Sequence, residues 1–170
     1  MSLAYSATVD TPVGPFTAIV DGIGDGDGAV LASGWTADVD ELLPVIHQSI
    51  RPDGVRAVPD LGPVTDAVRA YHQGELSAVD GVPVRHNGGE FLLHAWRVLR
   101  DVPSGAPISY TEYAAKCGRP AAVRAAAMAC ARNATALFVP CHRVLRSDGT
   151  LGGFRWGVPV KRWLLDHERR

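Results

Sequence analysis

Ser109-Tyr-Thr-Glu-Tyr-Ala-Ala-Lys-Cys-Gly-Arg-Pro-Ala-Ala-Val-Arg-Ala-Ala-Ala-Met-Ala-Cys-Ala-Arg132 is the stretch on which the fold turns. It opens on a capping box, because Ser109 and Glu112 can satisfy each other's orphan amides at a helix start. That helix is expected to run through Ala114 and Ala115 and to end at Gly118, which tolerates a left-handed backbone. Pro120 suits the first turn of a second helix over Ala121 to Arg132, and Asn133 is a permissible left-handed stop. Two short helices joined by a glycine-containing turn predict a helix-turn-helix. At about 100° per residue, Val123, Ala126, Ala127 and Cys130 share the side of the second helix expected to face the core. Ala121, Ala125, Met128 and Arg132 lie opposite, with Arg124 at the edge. A major-groove reader needs Asn, Gln, Arg or Lys aimed at base edges, whereas this face is mainly methyl groups. Such a surface approaches DNA closely and reads little sequence. Minor-groove contact with Arg124 wedged into the base stack is the functional model. A packed internal helix with surface arginines remains the alternative at this point.

Upstream, Phe91, Trp96 and Leu99, with Ala95 and Val98, mark another helix that ends before Pro103-Ser-Gly-Ala-Pro107. Residues 80–89, rich in Gly, Pro and Asn, read as a linker, so lobes over 1–80 and 88–170 are expected. The N-terminal half begins with a hairpin: Tyr5 to Val9 and Phe16 to Val20 are strand-like, and Thr11-Pro-Val-Gly-Pro15 supplies the turn. A short strand is expected at Ala29 to Ala32, an irregular stretch over 37–60, and a helix from Val64 to Gln73 stopping at Gly74. The glycine spacing in Asp21-Gly-Ile-Gly-Asp-Gly-Asp-Gly28 does not fit a dinucleotide cradle, and no glutamate follows at the distance a calcium loop needs. A flexible acidic turn is expected there.

With 170 residues and 46% hydrophobic content, the chain can bury one real core and leaves little room for several independent domains. No basic run followed by an apolar stretch opens it, and no apolar run is long enough to span a bilayer, so a cytoplasmic protein without a membrane partner is expected. An odd count of three cysteines does not make a disulfide framework and fits a reducing compartment. The net charge of −1 conceals a division. Residues 1–90 carry four Lys/Arg against thirteen Asp/Glu, whereas 91–170 carry thirteen against five. The second half is therefore +8 and the first −9, which points to a polyanion, nucleic acid above all, as partner of the second half. Attraction between the lobes would also explain the asymmetry.

After the second helix comes an apolar run, Ala134 to Val139, expected to be strand-like or extended, which ends in Pro140-Cys-His-Arg143. A cysteine among apolar neighbours is usually a buried structural thiol. Here Pro140 fixes the backbone before it, His142 offers a base, and Arg143 and Arg146 favour thiolate. Zinc does not fit, because neither a CxxC nor a second paired histidine lies nearby.

Pro140-Cys-His-Arg-Val144, preceded by Arg124 and Asn133 and followed by a glycine-containing loop and Lys161-Arg-Trp-Leu-Leu165, resembles the O6-alkylguanine-DNA alkyltransferase family over residues 90–168. Thr11-Pro-Val-Gly-Pro-Phe16 and Ala70-Tyr-His-Gln-Gly-Glu75 resemble segments of that family more weakly. The resemblance implies an α+β fold, with a small N-terminal α/β lobe carrying an antiparallel sheet and a mainly helical C-terminal lobe. It implies binding of duplex DNA by a monomer at the minor groove, and flipping of the damaged nucleotide into a pocket. It matches Cys141 to the alkyl acceptor, His142 to the base that takes its proton through water, and Glu168 to the acid that orients the histidine. It likewise matches Asn133 to a hinge, Tyr110 to a phenol near the guanine, and Arg124 to the finger that fills the vacated stack. Val144, Gly153, Phe154, Arg155 and Trp156 fall in the pocket loop. No cofactor or metal is implied, since 1–30 lacks the cysteine and histidine set that some relatives use for zinc. Three departures stand out: Ala134 where many relatives have proline, bulky Arg155 and Trp156 in a loop where some have serine and glycine, and the absence of that zinc set. A non-enzymatic binder of alkylated DNA and a thiol hydrolase are the alternatives; look-alikes of the first kind replace the cysteine, and the second would turn over repeatedly.

Overall fold

A computed structural model of the chain describes residues 2–23 and 28–169. The polypeptide divides into two compact units, 1–87 and 88–170.

In the first unit, strands β1 (Leu3–Thr11) and β2 (Gly14–Val20) form the expected hairpin, with Tyr5 opposite Val20 and Thr11 opposite Gly14. Gly14 sits at φ +107°, a conformation that favours glycine. Strand β3 (Val30–Gly34) pairs antiparallel with β2, and β4 (Gly54–Ala57) pairs parallel with β1, giving the order β3-β2-β1-β4. The irregular stretch expected over 37–60 therefore contains a strand, together with the short helix α1 (Val39–Leu42). Gly-Val-Arg-Ala is too short and too mixed to alternate visibly, and its pairing with β1 is non-local. Helix α2 (Pro63–His72) buries Val64, Val68 and Tyr71, the residues whose spacing predicted it. The start of the stretch read as a linker is docked: Val30 N–H donates to Pro83 O at 2.9 Å, and Arg85 N–H to Val30 O at 2.9 Å. The acidic turn expected over Asp21 to Gly28 lies in its centre outside the described residues.

In the second unit, α3 (Glu90–Arg100), α4 (Tyr110–Lys116), α5 (Val123–Ala131) and α6 (Val158–Glu168) surround a small apolar core. The capping box forms as expected, with Ser109 Oγ accepting from Glu112 N–H at 3.0 Å and Glu112 Oε1 from Ser109 N–H at 3.1 Å. It contributes about 1 kcal/mol at the start of α4. Helix α4 gives way to a turn at Cys117, and Gly118 follows at φ +82°. Tyr113 Oη donates to Ala95 O at 2.6 Å and Trp96 Nε1 to Ala129 O at 2.8 Å, which ties α4 and α5 to α3.

Three local expectations are corrected here. Helix α5 begins at Val123 rather than Ala121, and it ends at Ala131, capped by Arg132, without a left-handed residue at Asn133. Its core-facing residues are Ala126 and Ala129, while Ala127 and Cys130 turn towards a cavity. In a helix of nearly uniform alanines, no contrast in hydrophobicity marks the buried side. The run 134–139 is not a strand but a buried tight turn, in which Val139 N–H donates to Thr135 O at 3.0 Å and Leu137 takes φ +79°. A short apolar run does not by itself distinguish a strand from another buried conformation.

Candidate active site

Cys141 opens a single 3-10 turn, Cys141–Arg143, between Pro140 and strand β6 (Val144–Leu145). Strand β6 pairs in parallel with β5 (Ile108–Ser109), Ile108 against Val144. This short ladder brings the residue that follows β5, Tyr110, alongside the segment that carries the thiol. From the other side Asn133 holds that segment: its Nδ2 donates to Val139 O at 2.7 Å, and its Oδ1 accepts from Thr135 N–H at 3.1 Å. A buried amide whose donor and acceptor are both used fixes the turn before Cys141 in one geometry. Cys141 is 8% exposed, and burial pushes its thiol pKa up. The Asn133 amide and the Lys161 ammonium pull in the opposite direction.

Behind the thiol lies a buried polar chain. His142 Nε2 lies 2.8 Å from Glu168 Oε2, and both residues are almost fully enclosed. Arg143 grips the same carboxylate in a fork, Nε to Oε1 at 2.9 Å and Nη2 to Oε2 at 2.9 Å, and donates through Nη1 to Val102 O at 2.7 Å. Burial alone would raise the Glu168 pKa, but His142 and Arg143 hold it well below the usual carboxylate range. An ionised carboxylate only accepts, so Nε2 of His142 carries the proton and Nδ1 is left as an acceptor. Burial lowers the His142 pKa against the pull of Glu168, which keeps the ring neutral at neutral pH. Among the described residues its Nδ1 has no hydrogen-bond partner. A base with a free lone pair, oriented by a charge on its far side, thus sits next to the cysteine in the chain.

The thiol opens on a cavity of about 450 Å³. Tyr110 lines it, as do Ala127, Cys130 and Ala131 of α5, and Gly153, Phe154, Arg155 and Trp156 of the loop before α6. Burial, then the neighbouring Cys130 and Cys141, push the Tyr110 phenol up to about 12, so it remains a proton donor at neutral pH. Arg155 folds back, its Nη2 donating to Ala131 O at 2.8 Å, and this latches the loop to the end of α5. Trp156 is half-buried in the cavity wall. Val144, expected in the pocket, is instead fully buried in the β5-β6 pair and does not line this cavity. Its backbone carbonyl is engaged by Lys161. Outside the cavity, Ala121, Arg124, Met128 and Arg132 are exposed and Ala125 is half-buried. No group of three or more His, Cys, Asp or Glu residues placed to hold a metal occurs among the described residues.

Three participants escaped the sequence reading: Arg143 as the carboxylate clamp, Cys130 as a cavity residue, and Lys161. The Lys161 ammonium is buried under the loop that follows Cys141, with Nζ donating to Val144 O at 2.9 Å and also to the carbonyls of Leu151 and Gly153. A signal for it existed. Lys161, Leu164, Leu165 and Glu168 recur at the spacing of one helix face, which places two charged residues on the buried side of α6.

Residues 90–170 match the family model described as the 6-O-methylguanine DNA methyltransferase, DNA binding domain. Over 162 residues the chain is 33% identical to the methylated-DNA–protein-cysteine methyltransferase of Shigella flexneri, an alignment covering 94% of this chain and 92% of that one. The chain belongs to the methylated-DNA–protein-cysteine methyltransferase family. A second methylated-DNA–protein-cysteine methyltransferase, from Mycobacterium tuberculosis, is 35% identical over 170 residues, 98% of this chain and 93% of its own. The crystal structure of Mycobacterium tuberculosis OGT in complex with DNA resembles this structure with a TM-score of 0.76 at 29% identity, covering 97% of this chain and 92% of that one. The α+β architecture is thus that of the methyltransferase family, and Tyr110, Asn133, Cys141, His142 and Glu168 all fall within the matched DNA-binding domain.

Proposed function

We propose that this chain repairs DNA by moving an alkyl group, chiefly methyl, from O6 of guanine onto its own Cys141. The observation that carries this reading is the buried chain Arg143–Glu168–His142, which ends in an unpartnered Nδ1 on the residue that follows Cys141, whose thiol lines a cavity of about 450 Å³. The Cys141 proton passes through a water molecule to Nδ1 of His142, and Glu168 stabilises the imidazolium that forms. The thiolate attacks the alkyl carbon, an S–C bond forms, and the C–O6 bond breaks. The Tyr110 phenol relieves the charge developing on the departing guanine by donating a proton, and it regains one from solvent as the His142 imidazolium releases its own. A thioether is a stable product, so each molecule acts once.

O6 faces its paired base inside a duplex, so the nucleotide must leave the stack, at a cost of a few kcal/mol. Helices α4 and α5 act as a helix-turn-helix that lies along the minor groove. The exposed Arg124 fills the vacated stack, Ala121, Ala125 and Met128 allow close approach, and Arg132 meets a phosphate. Every group in this scheme comes from one chain, which favours action as a monomer. Three free cysteines favour a reducing, cytoplasmic setting.

Mass spectrometry after mixing with a duplex containing O6-methylguanine tests the scheme. One stable methyl per molecule, mapped to Cys141, is the expected result. Repeated turnover, or a lesion consumed without a protein adduct, would overturn it.

A further inference from the structure

On the far side of the acceptor loop lies a second cavity of about 440 Å³, which the scheme above does not use. Three arginines line it, Arg146 from the loop, Arg162 from α6 and Arg169 just after that helix, together with Gly149, Thr150 and Gly152. Arg169 is within 3.6 Å of Asp166. Asp148, the other acid close by, is occupied by the Thr150 N–H and hydroxyl at 3.0 and 2.7 Å. Among the described residues, Arg146 and Arg162 have no carboxylate within ion-pair distance. Guanidinium groups lining one concave site, two of them without an ion-paired carboxylate, match the forked geometry that recognises phosphate oxygens.

The position of this cavity identifies the source of the phosphate. Gly152 lines the arginine cavity and Gly153 the cavity beside Cys141, so consecutive residues form the wall between them. A Cβ built on Gly152 would stand 3.5 Å from the Tyr110 hydroxyl and 3.6 Å from Arg146 Cγ, so the two cavities meet at this residue. The N-terminus of α4 is also tied to the same loop, through Thr111 Oγ1 and Ser147 Oγ at 3.0 Å. A strand that delivers a base to one side of this wall carries its next charges only a few ångströms further on, since phosphates recur about every 3.4 Å of rise along each strand. We propose that the arginine-lined cavity holds a backbone phosphate of the same DNA strand whose base enters beside Cys141. This rests on the alkyl-transfer reading for the identity of the strand, but its test does not depend on the chemistry.

Binding of undamaged duplex is measured against salt for the wild type, for Arg146→Gln with Arg162→Gln, and for Arg146→Lys with Arg162→Lys, each checked for a wild-type Tm. Each phosphate contact contributes about 0.9 to the slope of log K against log salt, so the glutamine pair, which loses the one phosphate held here, should lower the slope by about one. Affinity near 0.15 M salt should fall roughly tenfold, to a similar extent for different sequences. The lysine pair, which keeps the charges, should keep most of the slope. An unchanged slope in the folded glutamine pair overturns the proposal. If that same variant had lost binding of inorganic phosphate, followed by phosphorus NMR, the cavity would belong to a free anion instead. Because undamaged DNA is used, failure of methyl transfer to Cys141 would leave this result standing, and the two readings fail separately.

Discussion

Cys141→Ser separates chemistry from binding, because serine is nearly isosteric but a poor nucleophile at neutral pH. Methyl transfer should disappear while duplex affinity stays within about twofold; transfer above background would remove Cys141 from its role. Glu168 offers a second test through pH. Its carboxyl is depressed in the folded chain from an ordinary value of 4.5, so the stability it provides is complete above that value and is lost as pH falls. His142, depressed from 6.5 by burial, acts in the same direction, since it must be charged to follow the unfolded state. Glu168→Gln should therefore destabilise the protein by about 3–5 kcal/mol at neutral pH, because Arg143 is left buried without its counter-charge. It should also flatten the acid side of a plot of Tm against pH. A variant with the wild-type acid limb would show that other carboxylates control acid unfolding. Arg124 is exposed near the start of α5, away from the thiol cavity. Arg124→Ala should slow repair in duplex DNA much more than repair of the free modified base, and equal losses on both would place it in the chemistry or the fold.

Among the elements, the loop that carries Phe154, Arg155 and Trp156 controls what fits beside Cys141. Its latch from Arg155 to Ala131 holds the Trp156 indole in the cavity wall. Methyl needs little space, whereas a benzyl group on a free base must compete with the indole and has no DNA contacts to compensate. Free O6-benzylguanine should therefore inactivate the protein slowly compared with O6-methylguanine in duplex, and Trp156→Gly should narrow the gap by speeding benzyl transfer. Rapid consumption of free O6-benzylguanine by the wild type would contradict this account of the loop. At the same scale the sequence was legible wherever residues of contrasting chemistry mark a boundary. Ser109, Glu112 and Gly118 announced α4, and Val64, Val68 and Tyr71 announced the buried side of α2. Legibility failed where the determinant is long-range or uniform. Strand β4 exists because β1 lies beside it, and the alanines of α5 look alike on every side. The turn at 134–139 is set by what Asn133 does with its amide rather than by the apolar residues themselves.

For the molecule as a whole, the division of charge at about residue 90 coincides closely with the boundary between its units at Asn87 and Gly88. The positive unit is the one matched by the DNA-binding domain of the family. Binding to duplex should accordingly weaken steeply as salt rises, and a flat response would mean that the asymmetry serves the fold alone. Sequence patterning reached this division, and the resemblance carried by Pro140-Cys-His-Arg-Val144 pointed to Cys141 as the thiol proposed to react. It did not reach the Arg143 clamp, because nothing in a linear pattern distinguishes an arginine that faces solvent from one that is enclosed. The other enclosed cation has a different consequence. The chain has only two lysines, Lys116, which is exposed, and Lys161, which is 1% exposed with its ammonium surrounded by carbonyls. An acylating reagent should modify the first at once and the second only when α6 and the loop above it part. The ratio of the two labels over time then serves as an internal clock for opening of the loop that follows Cys141, readable on unaltered protein without a probe.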